Sequence, residues 1–236
     1  MQPHVQKLIE REYAAQRSQE WLDLRGNMLT ASDAASAIGE NKYQKPHDLL
    51  LKKCGLGEPF TGNEATEWGT KMEPVAIQMF EEKYGEVVHE IGLVQHPEYP
   101  WLGGSPDGVT SSGKLLEIKC PMRRKIEPGV VPQHYLPQIQ LCMDIMELES
   151  CFFVQYAPEE ITFPRPAVFD VTIVPRDREW FTKYLPVMKA FWDKVVYYRQ
   201  HIDELPKPKE KVKRTYKPKE VVPHVCEIDI PSSEED

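Results

Sequence analysis

The sequence predicts a single α/β domain in which a mixed central β-sheet is flanked by helices on both faces. Helical segments come first, a meander of short strands follows, and a further helix, two more strands and a last helix complete the order. The last helix, at residues 178–199, has apolar residues at a 3.6-residue period, which is typical of a helix packed on a core. A length of 236 residues suits one domain with a full core.

The predicted elements begin and end at residues suited to those positions. Thr30 or Ser32 caps the first helix, and Gly55 ends the second. The third helix ends at Gly85 and is kinked or restarted at Pro74. The predicted helices cover residues 32–38, 46–54, 64–84, 133–147 and 178–199, and the predicted strands cover residues 86–95, 105–110, 114–120, 151–156 and 167–174.

The most informative stretch is Ser105-Pro106-Asp107-Gly108, with Leu116-Glu117-Ile118-Lys119 on the next predicted strand. A turn rich in Ser and Gly joins the two strands. Because strand side chains alternate between faces, Glu117 and Lys119 point the same way while Ile118 points to the apolar side. One face of this hairpin is therefore expected to carry the charged groups.

The chemistry of these groups indicates phosphodiester hydrolysis. Two converging carboxylates, Asp107 and Glu117, repel each other unless a hard divalent cation lies between them. Mg²⁺ prefers a few carboxylate oxygens together with waters, and Lys119 would orient and activate the attacking water. The residues alone leave an alternative open, because Pro-Asp-Gly is an ordinary turn and Glu-x-Lys is common on exposed strand faces.

Further motifs occur in order around this stretch. They are Trp21-Leu22-Asp23-Leu24-Arg25, Thr30-Ala31-Ser32-Asp33-Ala34-Ala35, Trp68-Gly69-Thr70-Lys71-Met72-Glu73-Pro74 and Tyr135-Leu136-Pro137-Gln138-Ile139-Gln140. Together with the Asp107 and Glu117/Lys119 motif, the series resembles the phage lambda exonuclease family within the PD-(D/E)xK nuclease superfamily. It is most similar to the YqaJ-type viral recombinase branch. The resemblance covers about residues 17–200.

The resemblance implies a restriction-endonuclease-like nuclease core and a Mg²⁺-dependent enzyme, for which Mn²⁺ would substitute. Such an enzyme degrades linear double-stranded DNA from a 5′ end in viral or phage-type recombination or replication. Two alternatives stay open: a related endonuclease or a nuclease of opposite polarity, and a non-catalytic DNA-end-binding or annealing module. Intact acidic and basic site positions disfavour the second. The resemblance also implies double-stranded DNA ends, a single-strand annealing protein and a ring-shaped homotrimer as partners.

By the same resemblance, the catalytic and metal-binding roles fall on the central motif. Asp107 and Glu117 would bind the metal, with the backbone carbonyl of Ile118 as a further ligand. Lys119 would position and activate the attacking water. Gln138 would lie beside the active site.

Glu73 is a candidate on the third helix. It heads a helical stripe that is otherwise apolar and continues through Ile77, Phe80 and Tyr84. A carboxylate at that position either compensates the helix dipole ahead of Pro74 or serves the site. The family motif favours a metal-binding or water-positioning role.

Arg25 and Ser32 suit an anion pocket. Arg has a planar fork that matches phosphate oxygens, and a Ser at a helix start adds a hydroxyl beside free backbone N–H groups. The resemblance implies that these residues, with Ser105, hold the 5′-phosphate of a DNA end. A helix cap is the alternative role of Ser32, and the two roles are compatible.

Basic and aromatic residues are expected at the mouth of the site. Arg123, Arg124 and Lys125 follow the Lys119 strand directly and would grip the DNA backbone, although a solvated loop is an equal alternative. Tyr135 shares a helix face with Gln138 and is a further DNA-binding candidate. The neighbouring His134 is a candidate general base, but nucleases of this type do not need one.

Composition agrees with an enzyme of the cell interior. Five cysteines are scattered without CxxC spacing, which argues against a disulfide framework and against zinc or iron–sulfur sites. No apolar run reaches the roughly 18 residues of a membrane span, and no signal-peptide pattern is visible. We therefore expect a soluble intracellular protein without a membrane partner, in the host nucleus or cytoplasm if the source is viral.

We expect a nuclease domain at residues 1–205 and a disordered tail at residues 206–236, because residues 206–219 alternate Pro and Lys and cannot form a core. Residues 206–219 have a net charge of +6, and residues 220–236 contain six acidic residues and no Lys or Arg. The two tail segments cancel, so residues 1–205 carry the whole net charge of −8. Duplex binding must then depend on basic residues concentrated in a groove.

Overall fold

A computed structural model of the protein describes residues 3–16, 18–57 and 62–206. All the elements described below lie in one compact unit, Met1–Leu205. Apart from Pro206, the tail expected at residues 206–236 lies outside the described residues. None of the described helices has the length and apolar content needed to cross a membrane.

The described α-helices are α1 Pro3–Glu10, α2 Gln19–Gly26, α3 Ala31–Ala37, α4 Pro46–Lys53, α5 Glu64–Tyr84, α6 Leu136–Ile145, α7 Glu159–Thr162 and α8 Arg178–Gln200. The strands are β1 Leu29–Thr30, β2 Val88–His89, β3 Val94–Gln95, β4 Leu102–Gly104, β5 Gly108–Thr110, β6 Leu115–Lys119, β7 Ser150–Ala157 and β8 Val168–Pro175. A 3₁₀ turn at Gln133–Tyr135 leads into α6, and another at Ile202–Glu204 follows α8.

The strands form a five-stranded sheet in the order β2-β5-β6-β7-β8 and a three-stranded sheet in the order β1-β4-β3. Strands β6 and β7 run parallel in register from Leu115↔Cys151 to Lys119↔Gln155, while the other pairs of the larger sheet are antiparallel. The predicted mixed sheet between helices is confirmed. The smaller second sheet was not predicted.

Helices cover both faces of the larger sheet. On one face Leu116 and Ile118 of β6 pack in a cluster with Phe80 of α5. On the other face Leu115 lies in the main core with Leu141 of α6. Because side chains alternate, Glu117 and Lys119 share the α6 face with Leu115. The β6–α6–β7 crossover therefore brings charged strand positions under a helix.

Helix α5 is bounded as its sequence predicts. Asn63 caps its start by accepting a hydrogen bond from the Thr66 backbone N–H at 3.0 Å, and Gly85 ends it with φ of +65°. Of the two alternatives predicted at Pro74, a kink or a restart, the restart is wrong, because α5 continues through that residue. Met72 and Ala76, on either side of Pro74, are buried against the sheet, and this packing keeps the helix continuous.

The single strand predicted at residues 86–95 is wrong. Strand β2 pairs with β5 in the larger sheet and β3 pairs with β4 in the smaller sheet, so the chain changes sheets between them. At Gly92 the backbone passes so close to Tyr13 that an added Cβ would lie 2.3 Å from the Tyr13 Cβ. The chain leaves the first sheet at this close crossing.

A second close approach occurs at Gly104 in β4. A Cβ there would lie 3.1 Å from both the Cys142 Sγ and the Ile145 Cδ1 of α6, and 3.7 Å from the Ala31 Cβ of α3. Without a side chain at this position, α6 and α3 both reach the smaller sheet. Gly104 thus sets how closely α6 approaches its neighbours.

Candidate active site

Strand β6 carries a buried acid and a partly buried base on one face. The Glu117 side chain is fully buried, and the Lys119 side chain is 22% exposed. One carboxylate oxygen of Glu117, Oε1, accepts hydrogen bonds from the Lys119 ammonium and from the Gln138 amide, the latter at 2.6 Å. The other oxygen, Oε2, is buried and has no hydrogen-bond partner among the described residues. Glu117 therefore presents one unsatisfied oxygen.

Asp107 contacts the same strand, β6, although it does not itself lie in a strand as predicted. It precedes β5, so its expected location within a strand is wrong. Its Oδ2 accepts a hydrogen bond from the Ile118 backbone N–H at 2.6 Å. This bond extends the hairpin past the β5–β6 pair Gly108↔Leu116. This hydrogen bond joins the Asp107 segment directly to the strand that carries Glu117 and Lys119.

An open cleft of about 980 Å³ lies above these groups. Its walls are residues of α5, among them Glu73, and residues after β6, and it reaches Tyr135 and Gln138 on the far side. The Lys119 Nζ lies 5.3 Å from the centre of the Tyr135 ring. The cleft brings together these residues from the predicted site: Glu73, Asp107, Ile118, Lys119, Tyr135 and Gln138.

The electrostatics of the cleft follow from burial. Complete burial raises the pKa of Glu117 to about 7, with Lys119 opposing this rise and the Asp107 and Glu73 carboxylates adding to it. Burial opposes the charge of Lys119, but the Glu117 and Asp107 carboxylates outweigh it and raise the pKa of that ammonium. Lys119 is therefore charged. Its charge offsets only part of the effect that burial has on the pKa of Glu117.

The donor set fits a hard divalent cation. Asp107 and Glu117 offer carboxylate oxygens, the ligand type that Mg²⁺ prefers, and the unsatisfied Glu117 Oε2 is where a cation would contact a buried acid. Among the described residues, however, no three His, Cys, Asp or Glu side chains are gathered closely enough to hold a metal ion. The ligand role of Glu73 stays a prediction.

A second polar cluster surrounds Arg25. Its guanidinium donates to the Ser32 Oγ at 2.8 Å and to the Thr30 Oγ1 at 3.4 Å, and it lies 4.4 Å from the centre of the Trp21 ring. Burial lowers the pKa of Arg25, an effect that Asp33 opposes. In the described part of the chain Arg25 forms no ion pair with a carboxylate. The predicted pairing of Arg25 with Ser32 is present.

Sequence reasoning missed the pair that supports this cluster, Asp33 and Lys53. Their side chains are each 8% exposed, and the Lys53 Nζ lies 2.8 Å from the Asp33 Oδ2. The same ammonium donates to the backbone carbonyls of Arg25 and Met28 at 3.0 and 2.7 Å. The Thr-x-x-Asp spacing from Thr30 to Asp33 is typical of a capping box, and this pattern could have identified Asp33 from the sequence.

The Arg25 cluster and the carboxylates both act on the Cys142 thiol of α6. Burial raises the pKa of the Cys142 thiol, the Glu117 and Asp107 carboxylates add to this, and both Lys119 and Arg25 lower it. Ser105, the third predicted phosphate ligand, has a buried hydroxyl without a hydrogen-bond partner among the described residues. It directly follows β4, whose last residue faces Cys142.

The basic run after β6 makes contacts of its own. Arg123 pairs with Glu64 at 3.0 Å on the surface, and Arg124 donates to the Gln155 Oε1 at 2.8 Å. Lys125 lies beside them and is exposed. Pro121 and Met122, which immediately precede this run, line the cleft. The DNA-binding role of the basic run stays a prediction.

Residues 20–149 match the family model described as the YqaJ-like viral recombinase domain. The chain belongs to this family. An uncharacterized protein of Acanthamoeba polyphaga mimivirus is 33% identical over 162 residues, which are 61% of this chain and 30% of that protein. A protein of African swine fever virus is 30% identical over 156 residues, which are 53% of this chain and 44% of that protein. This YqaJ-like chain spans less than half the length of these relatives.

Among solved structures, the YqaJ-like chain is similar to an alkaline exonuclease, LHK-Exo, from Laribacter hongkongensis. The two are 26% identical with a TM-score of 0.65, and the match covers 79% of this chain and 96% of the exonuclease. That exonuclease has also been solved in complex with dAMP, with the same similarity. The nuclease fold predicted for the chain is confirmed.

Proposed function

We propose that this chain is a Mg²⁺-dependent deoxyribonuclease that degrades linear double-stranded DNA from a 5′ end. The observation that carries the proposal is the buried Glu117 carboxylate, which is held by Lys119 and Gln138 of the cleft wall and has one oxygen without a partner among the described residues. Similarity to an alkaline exonuclease supports a nuclease, and membership of a viral recombinase family supports a role in recombination.

Asp107 and Glu117 would hold the metal. Within a strand, the N–H and C=O of one residue point to the same side, so the Ile118 carbonyl faces the side on which its N–H meets Asp107. This placement favours the carbonyl as a further ligand. When bound, the metal would polarise the scissile phosphate and lower the pKa of the attacking water.

The remaining polar groups prepare the site. Gln138 and Lys119 both bind Glu117 Oε1, which fixes the carboxylate with its free oxygen available to a ligand. Lys119, charged and partly exposed at the cleft, would position the water and stabilise negative charge that develops on the phosphate. Glu73, which lines the same cleft, would assist in binding the metal or in positioning the water.

The direction of degradation would depend on the Arg25 cluster. A desolvated guanidinium without a carboxylate partner is suited to an incoming phosphate, and Ser32 already lies at 2.8 Å from it. The Ser105 hydroxyl would add a further donor. A 5′-phosphate held there would fix which phosphodiester lies at the carboxylates. We place Arg123, Arg124, Lys125 and Tyr135 along the path of the DNA.

Partners and organisation belong to the same proposal. The substrate would be the end of a duplex, and a homotrimer and a single-strand annealing protein would complete the recombination system. Residues 1–205 would form the nuclease domain and residues 206–236 the tail. Mn²⁺ would replace Mg²⁺.

The deciding experiment is a degradation time course on linear duplexes labelled at either the 5′ or the 3′ end. We expect mononucleotides to be released in Mg²⁺ or Mn²⁺, none in EDTA, and the 5′ label to be lost first. Asp107→Asn should abolish release, whereas Asp193→Asn, at a surface acid that pairs with Lys189, serves as the matched control. Early loss of the 3′ label would reverse the polarity, cleavage of circular DNA would indicate an endonuclease, and binding without release would indicate a non-catalytic end-binding module.

A further inference from the structure

A line of three aromatic rings runs from the protein surface into the cleft. Tyr43, in the loop between α3 and α4, is 73% exposed. Its ring meets the His134 ring edge to face at 5.5 Å, and the His134 ring lies 4.1 Å from the Tyr135 ring. Tyr135 in turn lies under the Lys119 ammonium at 5.3 Å. The exposed tyrosine is thus connected through a series of ring contacts to Lys119.

The charges around this line are positive. Burial lowers the pKa of His134, and the neighbouring Lys42, Arg124 and Lys119 lower it further. Lys42 also places its ammonium 4.8 Å from the centre of the Tyr43 ring. Neutral rings bordered by cations are the combination by which proteins bind single strands: bases stack on the rings while the phosphates meet the cations.

The chain offers a second exposed tyrosine–histidine pair for comparison. Tyr197 and His201 on and after α8 stack at 4.3 Å with their planes 16° apart. There, however, the Tyr197 hydroxyl donates to the Glu204 carboxylate at 2.6 Å, so the pair is satisfied by an acid of the same chain. A polyanion would be repelled at Tyr197 and attracted at Tyr43.

We propose that Tyr43 and His134 form a stacking platform for a nucleobase of the DNA strand that enters the cleft. This inference rests on the proposed function and adds a base-contacting subsite to it. The ring separations of 4.1 and 5.5 Å, measured outward from Tyr135, place the Tyr43 ring at most about three nucleotide rises of roughly 3.4 Å from the Tyr135 ring. The base on Tyr43 therefore lies within the first few nucleotides from the phosphate at Lys119. Because every base has a π-face, the platform accepts any sequence.

The test uses the full chain with Asp107→Asn, so that DNA is bound without being degraded. A short 5′-phosphorylated duplex with one 5-iododeoxyuridine, placed in turn at each of the terminal positions, is bound, irradiated and mapped by peptide mass spectrometry. Crosslinks to Tyr43 or His134 are expected at one or two adjacent positions. Crosslinks spread evenly over the surface, with none at these two residues, would overturn the platform.

Affinity provides the second measurement. In the same Asp107→Asn background, Tyr43→Ala should weaken binding about tenfold, because base–aromatic stacking is lost. Tyr43→Phe should bind as the parent does, and Tyr197→Ala, at the acid-paired tyrosine, should have no effect. Equal binding by Tyr43→Ala and Tyr197→Ala would overturn the proposal, as would an equal loss in Tyr43→Phe, which would assign the effect to the hydroxyl.

Degradation of linear DNA by the wild-type chain, measured in parallel, separates the two proposals. If the wild type degrades DNA and Tyr43→Ala binds normally, the platform alone fails. If the wild type releases no nucleotides from linear DNA while the crosslinks and the Tyr43→Ala loss of affinity are observed, the nuclease proposal alone fails and the platform belongs to a DNA-end-binding module.

Discussion

Two buried lysine–carboxylate pairs lie in this fold, and they differ in how completely they are satisfied. In the pair Lys53–Asp33, the acid accepts from the Thr30 N–H and hydroxyl as well as from Lys53, and the lysine has three acceptors. In the pair Lys119–Glu117, one acid oxygen has two donors and the other has none among the described residues. Lys53–Asp33 joins α4 to α3, whereas Lys119 and Glu117 lie two residues apart on β6. Of the two pairs, only Lys119–Glu117 leaves a buried atom without a partner among the described residues.

The pKa values of the two acids move in opposite directions. Burial opposes ionisation of Asp33, but the charge and hydrogen bond of Lys53, with the Thr30 hydroxyl, lower its pKa. Burial of Glu117 outweighs Lys119 and raises its pKa to about 7. A buried ion pair that leaves no buried oxygen without a partner is structural, whereas one with an unpartnered buried oxygen is prepared for a ligand.

The largest expected effect is on stability at the satisfied pair. Lys53→Met leaves the Asp33 carboxylate buried without its cation and removes donors to two backbone carbonyls. We expect the free energy of unfolding to fall by about 3–5 kcal/mol, measured by urea denaturation. Lys52→Met, at the exposed neighbour, is the control. A loss as small as that of the control would show that the two pairs do not differ in this way.

At the open pair, the expected loss is in catalysis. Lys119→Met should lower turnover on linear duplex DNA by at least about a hundredfold, because the group that positions water and stabilises charge is removed. Its effect on unfolding should be smaller than that of Lys53→Met, since Glu117 keeps Gln138 and the Lys119 side chain is already 22% exposed at the cleft. Hydrolysis close to the wild-type rate by a folded Lys119→Met protein would contradict the assigned mechanism.

A moderate effect is expected in the Arg25 cluster. Arg25→Ala should remove the preference for 5′-phosphorylated over 5′-hydroxyl ends, a change of roughly tenfold or more for a lost charge-assisted bond. The ratio of kcat/KM on the two substrates measures it. Arg11→Ala, at another arginine beside an aromatic ring, should keep the preference. A preference retained in full by Arg25→Ala would make Arg25 a structural residue.

The dependence of stability on pH provides a further test of the satisfied pair. The pKa of Asp33 is lowered by folding, so its contribution is complete above the ordinary value of 3.8 and is lost as pH falls through the lower folded value. In Lys53→Met the unpaired, buried Asp33 should have a raised pKa, so stability should increase as pH falls from 7. The difference between the urea midpoints of the two proteins should therefore shrink as pH falls from 7 to 3, because other titrating groups such as Glu117 contribute to both proteins alike. Parallel slopes would show that Lys53 does not control Asp33.

The smallest expected effect concerns the tail. Deleting residues 206–236 removes segments of opposite charge and nothing from the compact unit Met1–Leu205. We expect the urea midpoint, and the rate of hydrolysis on short duplexes, to stay within error of the full chain. An unfolded truncation would place the end of the domain beyond residue 205.

Sequence reasoning was accurate where a local pattern of apolar and polar residues reflects which face of an element is buried. The alternation of Leu115–Lys119 placed Glu117 and Lys119 on one face, and the apolar period placed α8. Short elements without such a pattern were missed: β4 is Leu102-Gly103-Gly104, and Leu22 and Leu24 of α2 are exposed, so neither element has a readable period.

The candidate site could be predicted only where it lies in consecutive motifs. Glu117, Lys119 and Asp107 are close along the chain, and their meeting follows from one hairpin and one hydrogen bond. The contact of Lys53 with the Arg25 carbonyl joins residues 28 positions apart, and the Tyr43–His134 contact joins two loops. No periodicity records such contacts, because tertiary packing alone determines them.

The position of one polar group of the site depends on a non-polar residue, Gly104. Gln138 and Cys142 are one turn apart on α6, so the position of the amide that binds Glu117 depends on how close the helix lies to β4. A single methyl group at residue 104 would meet Cys142 and Ile145 at 3.1 Å and push the helix outward by a few tenths of an ångström. For the proposed nuclease, we therefore expect the catalytic rate of this chain to depend on a residue that has no side chain and bears no charge.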